Sequence, residues 1–193
     1  NPPFSLRNWG KEYAENDFYK RYQFGVPPRN SGDMAFVQHM IASLKDDGVM
    51  GVVVTHGVLL RGGAEGEIRR GILENDLLEA VIGLPSLLLP GTSIPCSLLI
   101  INKKKKPHKK GKVLFIDASH NFRKEKLKNI IGQDEIGKIV SCFDSFEEID
   151  SFSKIVSINQ LKNNLFNLYV KRYADASPES LEIKRLQDQY KSY

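Results

Sequence analysis

The spacing of hydrophobic positions changes along the chain and distinguishes helices from strands. Apolar residues recur every three or four positions over residues 33–45, which predicts a helix with Ser31 or Asp33 as its N-cap and Gly48 just past its end. Residues 49–55 form a short valine-rich run, which is typical of a strand buried on both faces. The same criteria predict a second helix over 65–75 and strands over 77–84, 96–102 and 112–118. This alternation predicts an α/β fold.

From Ser119 onward the segments at helical spacing are more polar. We expect helices over residues 122–129 and 133–146, a Ser157-x-x-Gln160 capping box at the start of another, and a last helix after Pro178. In that last helix the apolar residues form one seam, at Ile183, Leu186, Tyr190 and Tyr193. The seam would pack either on this chain or on another protein. The change in pattern predicts a boundary between residues 1–118 and a helical tail over 119–193.

Composition limits the function only weakly. The 193 residues, 41% hydrophobic content and net charge of +5 fit one globular domain with an appendage, and permit an anionic partner without requiring one. Cys96 and Cys142 are too few for a disulfide framework and show no metal-binding spacing, so we expect a reducing cytoplasm and no metal. The most apolar stretch, over 87–101, is broken by two prolines and a glycine, so we expect no membrane span.

The first four residues, Asn1-Pro2-Pro3-Phe4, carry groups suited to activating an exocyclic amine. The lone pair of such an amine is delocalised into its ring. The side-chain oxygen of Asn1 and the carbonyl of Pro2 can accept its two N–H bonds and turn the lone pair out of the ring plane, towards a sulfonium methyl. The prolines stiffen the segment, and Phe4 offers a face on which a flipped base could stack. The alternative is an irregular entry loop.

Further segments follow this Asn-Pro-Pro-Phe segment in order along the chain. They are Gly25-Val26-Pro27-Pro28-Arg29-Asn30-Ser31-Gly32-Asp33-Met34-Ala35-Phe36, His56-Gly57-Val58-Leu59-Leu60-Arg61-Gly62-Gly63-Ala64-Glu65, Gly83-Leu84-Pro85, Gly91-Thr92-Ser93-Ile94-Pro95, Val113-Leu114-Phe115-Ile116-Asp117-Ala118 and Asn167-Leu168-Tyr169-Val170-Lys171-Arg172-Tyr173. Together they closely resemble the modification (M) subunit of type I restriction–modification systems, which belongs to the N6-adenine DNA methyltransferases.

The resemblance implies a fold and a function. Residues 1–118 would be the C-terminal part of a Rossmann-like methyltransferase sheet dependent on S-adenosylmethionine, and 119–193 a tail for subunit assembly. The protein would methylate N6 of a flipped adenine in double-stranded DNA. Asn1 and Pro2 would bind the amine, Pro3 would stiffen the loop, and Phe4 would stack on the base. A separate specificity subunit would read the sequence, with two M subunits for each, and a restriction subunit would join for cleavage.

The cofactor site is expected elsewhere. In the family's enzymes of this motif order, the glycine-rich turn and the ribose-binding acid precede Asn-Pro-Pro, so we expect the main S-adenosylmethionine site upstream of Asn1 and an inactive fragment. Gly57, Gly62, Gly63 and Gly66 follow a strand but lack G-x-G-x-x-G or Walker spacing. Two alternatives remain: an RNA or protein N-methyltransferase with the same motif, and a non-catalytic assembly module for a specificity protein.

The remaining candidates each have a functional and a structural interpretation. His56 ends a strand, where ligands bind in parallel sheets, but a structural role is the commoner one and the amine can lose its proton to water. Ile94 and Pro95 would border the flipped base, or belong to an ordinary turn. The run Lys103, Lys104, Lys105 and Lys106 forms either a solvated hairpin or an arm that contacts DNA phosphates. The same alternatives hold for Arg29, Arg61, Arg69 and Arg70 as surface residues.

Overall fold

The structure is a computed structural model that describes residues 1–90 and 93–175. Its helices are α1 (Lys11–Ala14), α2 (Asp33–Ser43), α3 (His56–Leu60), α4 (Ala64–Glu74), α5 (Gln133–Ser145) and α6 (Ile158–Asn163). Its strands are β1 (Val49–Thr55), β2 (Leu78–Gly83), β3 (Cys96–Asn102), β4 (Lys112–Asp117), β5 (Arg123–Lys124), β6 (Asn129–Ile130) and β7 (Ser153–Ser157). Short 3-10 turns lie at Pro107–Lys109 and Val170–Arg172.

Five strands form a mixed sheet in the order β1-β3-β2-β4-β7. The pair β2 and β4 is parallel, and the other neighbouring pairs are antiparallel. Because β1 and β2 both run opposite to β3, the strands β1, β2 and β4 point in one direction. Their last residues therefore meet at one edge of the sheet, which we call the carboxyl edge, and their first residues meet at the opposite amino edge.

Helices cover both faces of the sheet. Alternate residues of a strand point to opposite faces, and in β4 Val113 and Phe115 join one apolar cluster while Leu114 and Ile116 join another. The first cluster also contains residues of α2, α3, α4 and α6, and the second contains Cys142 of α5. The α/β class predicted from the alternating pattern is therefore confirmed.

Most of the predicted elements occur within two residues of their expected limits, and Val49–Thr55 matches at both ends. The Ser157–Gln160 capping box is present, with the Gln160 backbone N–H donating to Ser157 Oγ at 3.3 Å. The N-cap of α2 is Gly32, not Ser31 or Asp33. Val49 is 56% exposed at the start of β1, whereas Val52 and Val54 are buried, so the prediction that this strand is buried on both faces is wrong at its start.

Beyond residue 118 one predicted helix is wrong and one strand was not predicted. The expected helix over 122–129 is instead the hairpin of β5 and β6, with Leu127 at its tip 90% exposed. Asn129 fixes this hairpin, because its backbone and side-chain N–H groups donate to the carbonyls of Leu87 and Ser86 at 2.9 and 2.8 Å. The strand β7 was not predicted, and it pairs with β4, so the sheet continues past the boundary expected at 118. The helix expected after Pro178 lies outside the described residues.

Over residues 1–90 and 93–175, every helix is too short or too polar to cross a membrane.

Candidate functional site at the carboxyl edge

The Asn-Pro-Pro-Phe segment is attached to the N-terminus of α2. The backbone N–H of Ser5 donates to both carboxylate oxygens of Asp33, each at 3.1 Å. Helix α2 ends shortly before β1 begins, so its first residue lies towards the far end of that strand. Ser31 reaches Glu65 in the first turn of α4 at 2.9 Å, and α4 follows the last residue of β1 after α3. The segment therefore lies at the carboxyl edge.

The segment over 25–36 holds the residues that follow Phe4. The N–H of Gly32 donates to the carbonyl of Leu6, and the N–H of Asn8 donates to the carbonyl of Arg29, both at 3.0 Å. The indole N–H of Trp9 donates to the carbonyl of Pro28 at 3.0 Å. A Cβ on Gly32 would lie 2.9 Å from Trp9, so glycine is required there for close contact. Two of the segments that carried the resemblance thus fold against each other.

The four residues of the motif remain accessible. Asn1 and Pro3 are exposed, and Pro2 and Phe4 are half-buried. Ser5 follows in the left-handed region with φ of 50°, an unusual conformation for a residue with a Cβ. The side-chain oxygen of Asn1, the carbonyl of Pro2 and the ring of Phe4 are thus presented on a bent segment that is anchored at Ser5. Such an arrangement can receive a planar ring with an exocyclic amine.

Buried charged groups surround this anchor. Ser31 Oγ lies 2.9 Å from Asp33 Oδ2 and 2.9 Å from Glu65 Oε1. Arg61 donates from Nε to Glu65 Oε2 at 2.5 Å, and from Nη2 to Glu65 Oε1 at 2.8 Å and to Ser31 Oγ at 2.9 Å. Ser31, Asp33 and Glu65 are buried, whereas the Arg61 side chain is 40% exposed. The hydrogen bond to Glu65 raises the pKa of Arg61.

His56 lies at the end of β1 as the first residue of α3. Its ring meets Tyr169 edge to face, with centroids 5.3 Å apart. Burial lowers the pKa of His56, and the charge of Lys171 lowers it further, while the backbone carbonyl of Cys96 and the charge of Asp117 oppose the shift. The imidazole is therefore held in its neutral form near neutral pH, packed between the ends of several elements. This environment fits the structural interpretation of His56.

The segment over 167–173 also packs at this edge. Leu168 N–H donates to the carbonyl of Leu59 at 2.9 Å, and Val170 lies against Gly83 at the end of β2. Arg69 holds the same region by two hydrogen bonds. Its Nε donates to the carbonyl of Phe166 at 3.0 Å, and its Nη1 donates to the carbonyl of Val58 at 2.8 Å. Burial lowers the pKa of Arg69 to about 10. The surface role expected for Arg69 is therefore wrong.

The other predicted surface arginines keep an exposed part. Arg29 donates from Nε to Asn8 Oδ1 at 2.9 Å, beside the motif. Arg70 pairs with Glu74 and Glu67 on the outside of α4, at 3.0 and 3.2 Å. Of these two, Arg29 is the one that borders the candidate site.

Ile94 and Pro95 are exposed and directly precede β3, which starts at the carboxyl edge. They therefore lie at the same edge as the Asn-Pro-Pro-Phe segment. In the same loop Gly91 and Thr92 lie outside the described residues. A contact between this loop and a base stays a prediction.

The lysine run lies at the amino edge, away from the motif. Lys103 N–H donates to the carbonyl of Gly48 at 3.1 Å, and its Nζ donates to that of Leu44 at 2.7 Å, next to the end of α2. The 11 residues of α2 span about 15 Å, which separates the run from Asp33 and the segment attached to it. The structure therefore does not bring Lys103 to Lys106 together with Asn1 to Phe4.

Two lysines of this region are buried. Lys105 Nζ donates to Asp76 Oδ1 at 2.6 Å and to the carbonyl of Lys112 at 2.9 Å, and burial lowers its pKa. Lys109 Nζ lies 2.7 Å from Glu79 Oε1. Lys104 and Lys106 are exposed. Neither a solvated hairpin nor a DNA-contacting arm describes the whole run, because Lys105 is buried and paired with Asp76.

Comparison with known proteins identifies the family. The model of the family described as N-6 DNA methylase matches residues 1–182. The chain belongs to this family. The MjaVII type I restriction enzyme methylase subunit of Methanocaldococcus jannaschii is 36% identical over 192 residues, which are 95% of this chain and 33% of that protein. The MpnII methylase subunit of Mycoplasma pneumoniae is 35% identical over 191 residues, covering 96% of this chain and 35% of that protein.

A solved structure supports the same assignment. The methyltransferase subunit of a type I restriction–modification system from Streptococcus thermophilus superposes with a TM-score of 0.85 and 39% identity, over 92% of this chain and 37% of that one. The resemblance to M subunits is therefore confirmed. The chain spans about a third of the length of these N-6 DNA methylase relatives.

Several residues of the site were not identified as such from the sequence. Asp33 and Glu65 were noted only as parts of longer segments, or as a helix cap, and Ser5 was not noted. A positive φ at Ser5 has no sequence signal without glycine, and the contact between Ser31 and Glu65 spans 34 residues. The segments that carried the resemblance were the available signal, since most of them meet at this one edge.

Proposed function

We propose that the full-length protein is the M subunit of a type I restriction–modification system and transfers a methyl group from S-adenosylmethionine to N6 of a flipped adenine in double-stranded DNA. Membership of the N-6 DNA methylase family and the similarity to type I methylase subunits support this activity. The observation that carries the proposal is the accessible Asn-Pro-Pro-Phe segment, anchored through Ser5 to Asp33 at the carboxyl edge of the sheet.

In this proposal the motif residues bind and orient the target amine. Asn1 Oδ1 and the carbonyl of Pro2 accept the two N–H bonds, which frees the nitrogen lone pair from the ring. Pro3 restricts the backbone, and Phe4 stacks on the base. S-adenosylmethionine, when bound, supplies an electrophilic methyl on a sulfonium. The amine held by Asn1 and Pro2 would accept this methyl and lose one proton to water.

We propose that the main cofactor site lies in a part of the full-length protein other than residues 1–193. The glycines around α3 lack the spacing of a phosphate loop, and the Arg61 guanidinium fills the space beside Gly57, where a Cβ would lie 2.1 Å from Arg61 Nη1. Among the described strands, β1 pairs only with β3. Its second edge can therefore accept a further strand that carries cofactor contacts.

The proposed partners follow from the family. They are double-stranded DNA and a specificity subunit, with a restriction subunit in the cleaving assembly. We place the protein in the cytoplasm, and the free, buried thiols of Cys96 and Cys142 fit a reducing compartment.

Asn1→Ala in the full-length protein, assembled with its specificity subunit, tests the proposal. Methyl transfer to DNA from labelled S-adenosylmethionine should fall to background, because the amine loses a hydrogen-bond acceptor, while calorimetry should show unchanged cofactor affinity. Asn75→Ala is the matched control, since Asn75 lies at the end of α4 towards the amino edge. Wild-type methylation by Asn1→Ala would refute the amine-binding role.

A further inference from the structure

We propose that Asp33 is a positioning residue for methyl transfer, and that Ser31 and the Glu65–Arg61 pair hold it in place. The inference rests on the proposed function and assigns a role to residues that do not touch the base. Its basis is the pair of hydrogen bonds from Ser5 N–H to the two oxygens of Asp33, each 3.1 Å long.

The turn at Ser5 sets the direction of the motif. A side chain with a Cβ is sterically disfavoured at φ of 50°, so Ser5 keeps this conformation only if its surroundings impose it. Ser5 directly follows Phe4. A rotation of the Ser5 backbone back to negative φ would therefore swing the Phe4 ring and the acceptors of Asn1 and Pro2 away from their present direction. Asp33 accepts the one backbone N–H that fixes this rotation.

Asp33 is itself held in place by its neighbours. Asp33 is buried, and its Oδ2 lies 2.9 Å from Ser31 Oγ. A hydroxyl has one proton and lies here between two carboxylates, since Glu65 Oε1 is also 2.9 Å away. Arg61 supplies the positive charge that this arrangement needs, because its guanidinium donates to both Glu65 oxygens and to Ser31 Oγ.

The network joins three distant parts of the chain. It connects the first turn of α4 to the first turn of α2 and then to Ser5, which are far apart in sequence. Two of its members, Asp33 and Glu65, are acidic residues in the first turns of their helices, where the helix dipole favours a carboxylate. The two side chains therefore act through the backbone of Ser5 and do not need to contact the substrate to affect its orientation.

Asp33→Asn in the full-length protein, assembled with its specificity subunit, tests the role. Asparagine keeps the size of the side chain but loses the charge and one acceptor. We expect kcat for methyl transfer to fall by about tenfold or more, as for one lost hydrogen bond to a charged group, with KM for S-adenosylmethionine unchanged. Asp46→Asn, an exposed residue beyond the other end of α2, should leave both constants unchanged.

A rescue variant separates positioning from general structural support. Glycine adopts φ of 50° without a Cβ clash, so Ser5→Gly added to Asp33→Asn should recover part of the lost kcat. A purely structural role for Asp33 predicts no recovery. If Asp33→Asn is too unstable to assay, Ser31→Ala removes the bridging hydroxyl and should lower kcat in the same way. A wild-type kcat in the assayable variant would overturn the inference.

Asn1→Ala, assayed in parallel, distinguishes the two failures. If Asn1→Ala abolishes methylation while Asp33→Asn or Ser31→Ala retains the full kcat, only the positioning role is refuted. If Asn1→Ala methylates at the wild-type rate, the proposed function of the segment fails, and the positioning role fails with it.

Discussion

Lys109→Met tests whether the basic region after β3 supports the fold. Lys109 Nζ pairs with Glu79 Oε1 at 2.7 Å, and only 6% and 4% of the two side chains are exposed. The ammonium also lies 4.7 Å from the ring centroid of Phe143 and 5.0 Å from that of Phe146. Methionine keeps the length and the apolar stem of lysine, so the substitution removes the charge with little change in volume.

The expected cost follows from what remains around Glu79. Its Oε2 still accepts from Asn102 Nδ2 at 2.5 Å, but Oε1 loses its cation and stays buried. Removing one partner of a buried ion pair costs about 3 to 5 kcal/mol, and the loss of the contacts with the two rings adds to it. We therefore expect the free energy of unfolding to fall by about 3 kcal/mol or more. The double variant Lys109→Met with Glu79→Gln should be less destabilised than the single one, because no unpaired charge remains.

Urea unfolding of the full-length protein, followed by circular dichroism, measures these differences. At the usual urea dependence of about 1 to 3 kcal/mol per molar, the midpoint should fall by roughly 1 M or more. Lys106→Met is the matched control, because Lys106 is exposed in the same run and should change the midpoint little. If Lys109→Met were no more destabilising than Lys106→Met, the buried pair would not support the fold, and this reasoning would be wrong.

Three further predictions concern the carboxyl edge and the exposed lysines. Phe4→Ala should weaken binding of a DNA duplex with a flipped target base by about 1 to 3 kcal/mol, and an unchanged affinity in titration calorimetry would exclude stacking. Replacing Lys104 and Lys106 by Ser should lower the slope of log affinity against log salt by nearly one unit per phosphate contact, whereas an unchanged slope leaves them as solvated residues. Burial lowers the pKa of His56 below its unfolded value of 6.5, so stability should be lost as pH falls through 6.5 towards the folded pKa. His56→Gln should remove this loss in unfolding measurements between pH 7 and 5, and the exposed His120→Gln should keep it.

The strands of the main sheet were predictable where their apolar runs were long enough. Val49–Thr55 and Cys96–Asn102 are bounded by glycine, proline or polar residues and were placed at their observed limits. The strand Ser153–Ser157 was not, because it contains only two hydrophobic residues between polar ones, and its formation depends on β4. The hairpin over 123–130 was also missed, because its contacts with Ser86 and Leu87 outweigh the local preference of its residues.

Charged residues were the hardest to place, because their partners are distant in sequence. Lys105 and Asp76 are 29 residues apart, and Lys109 and Glu79 are 30 apart. A lysine-rich segment gives no local signal that Lys105 and Lys109 are buried. The burial of Arg69 could have been predicted. Glu65, Arg69 and Leu73 are spaced four residues apart and so lie on one face of α4, which is buried.

The two edges of the sheet use charge in different ways, and this difference supports the proposed roles. At the amino edge Lys105 and Lys109 each pair with an acidic group, and these pairs connect the turn after β3 to β2 and the residues just before it. At the carboxyl edge the network of Arg61, Glu65, Ser31 and Asp33 ends on the backbone of a solvent-accessible segment, at Ser5. Ser5 is one of several non-glycine residues at positive φ among the described residues, and it is the one that directly follows the accessible motif. The proposed positioning role accounts for the bend at Ser5 by the orientation that it gives to Asn1, Pro2 and Phe4.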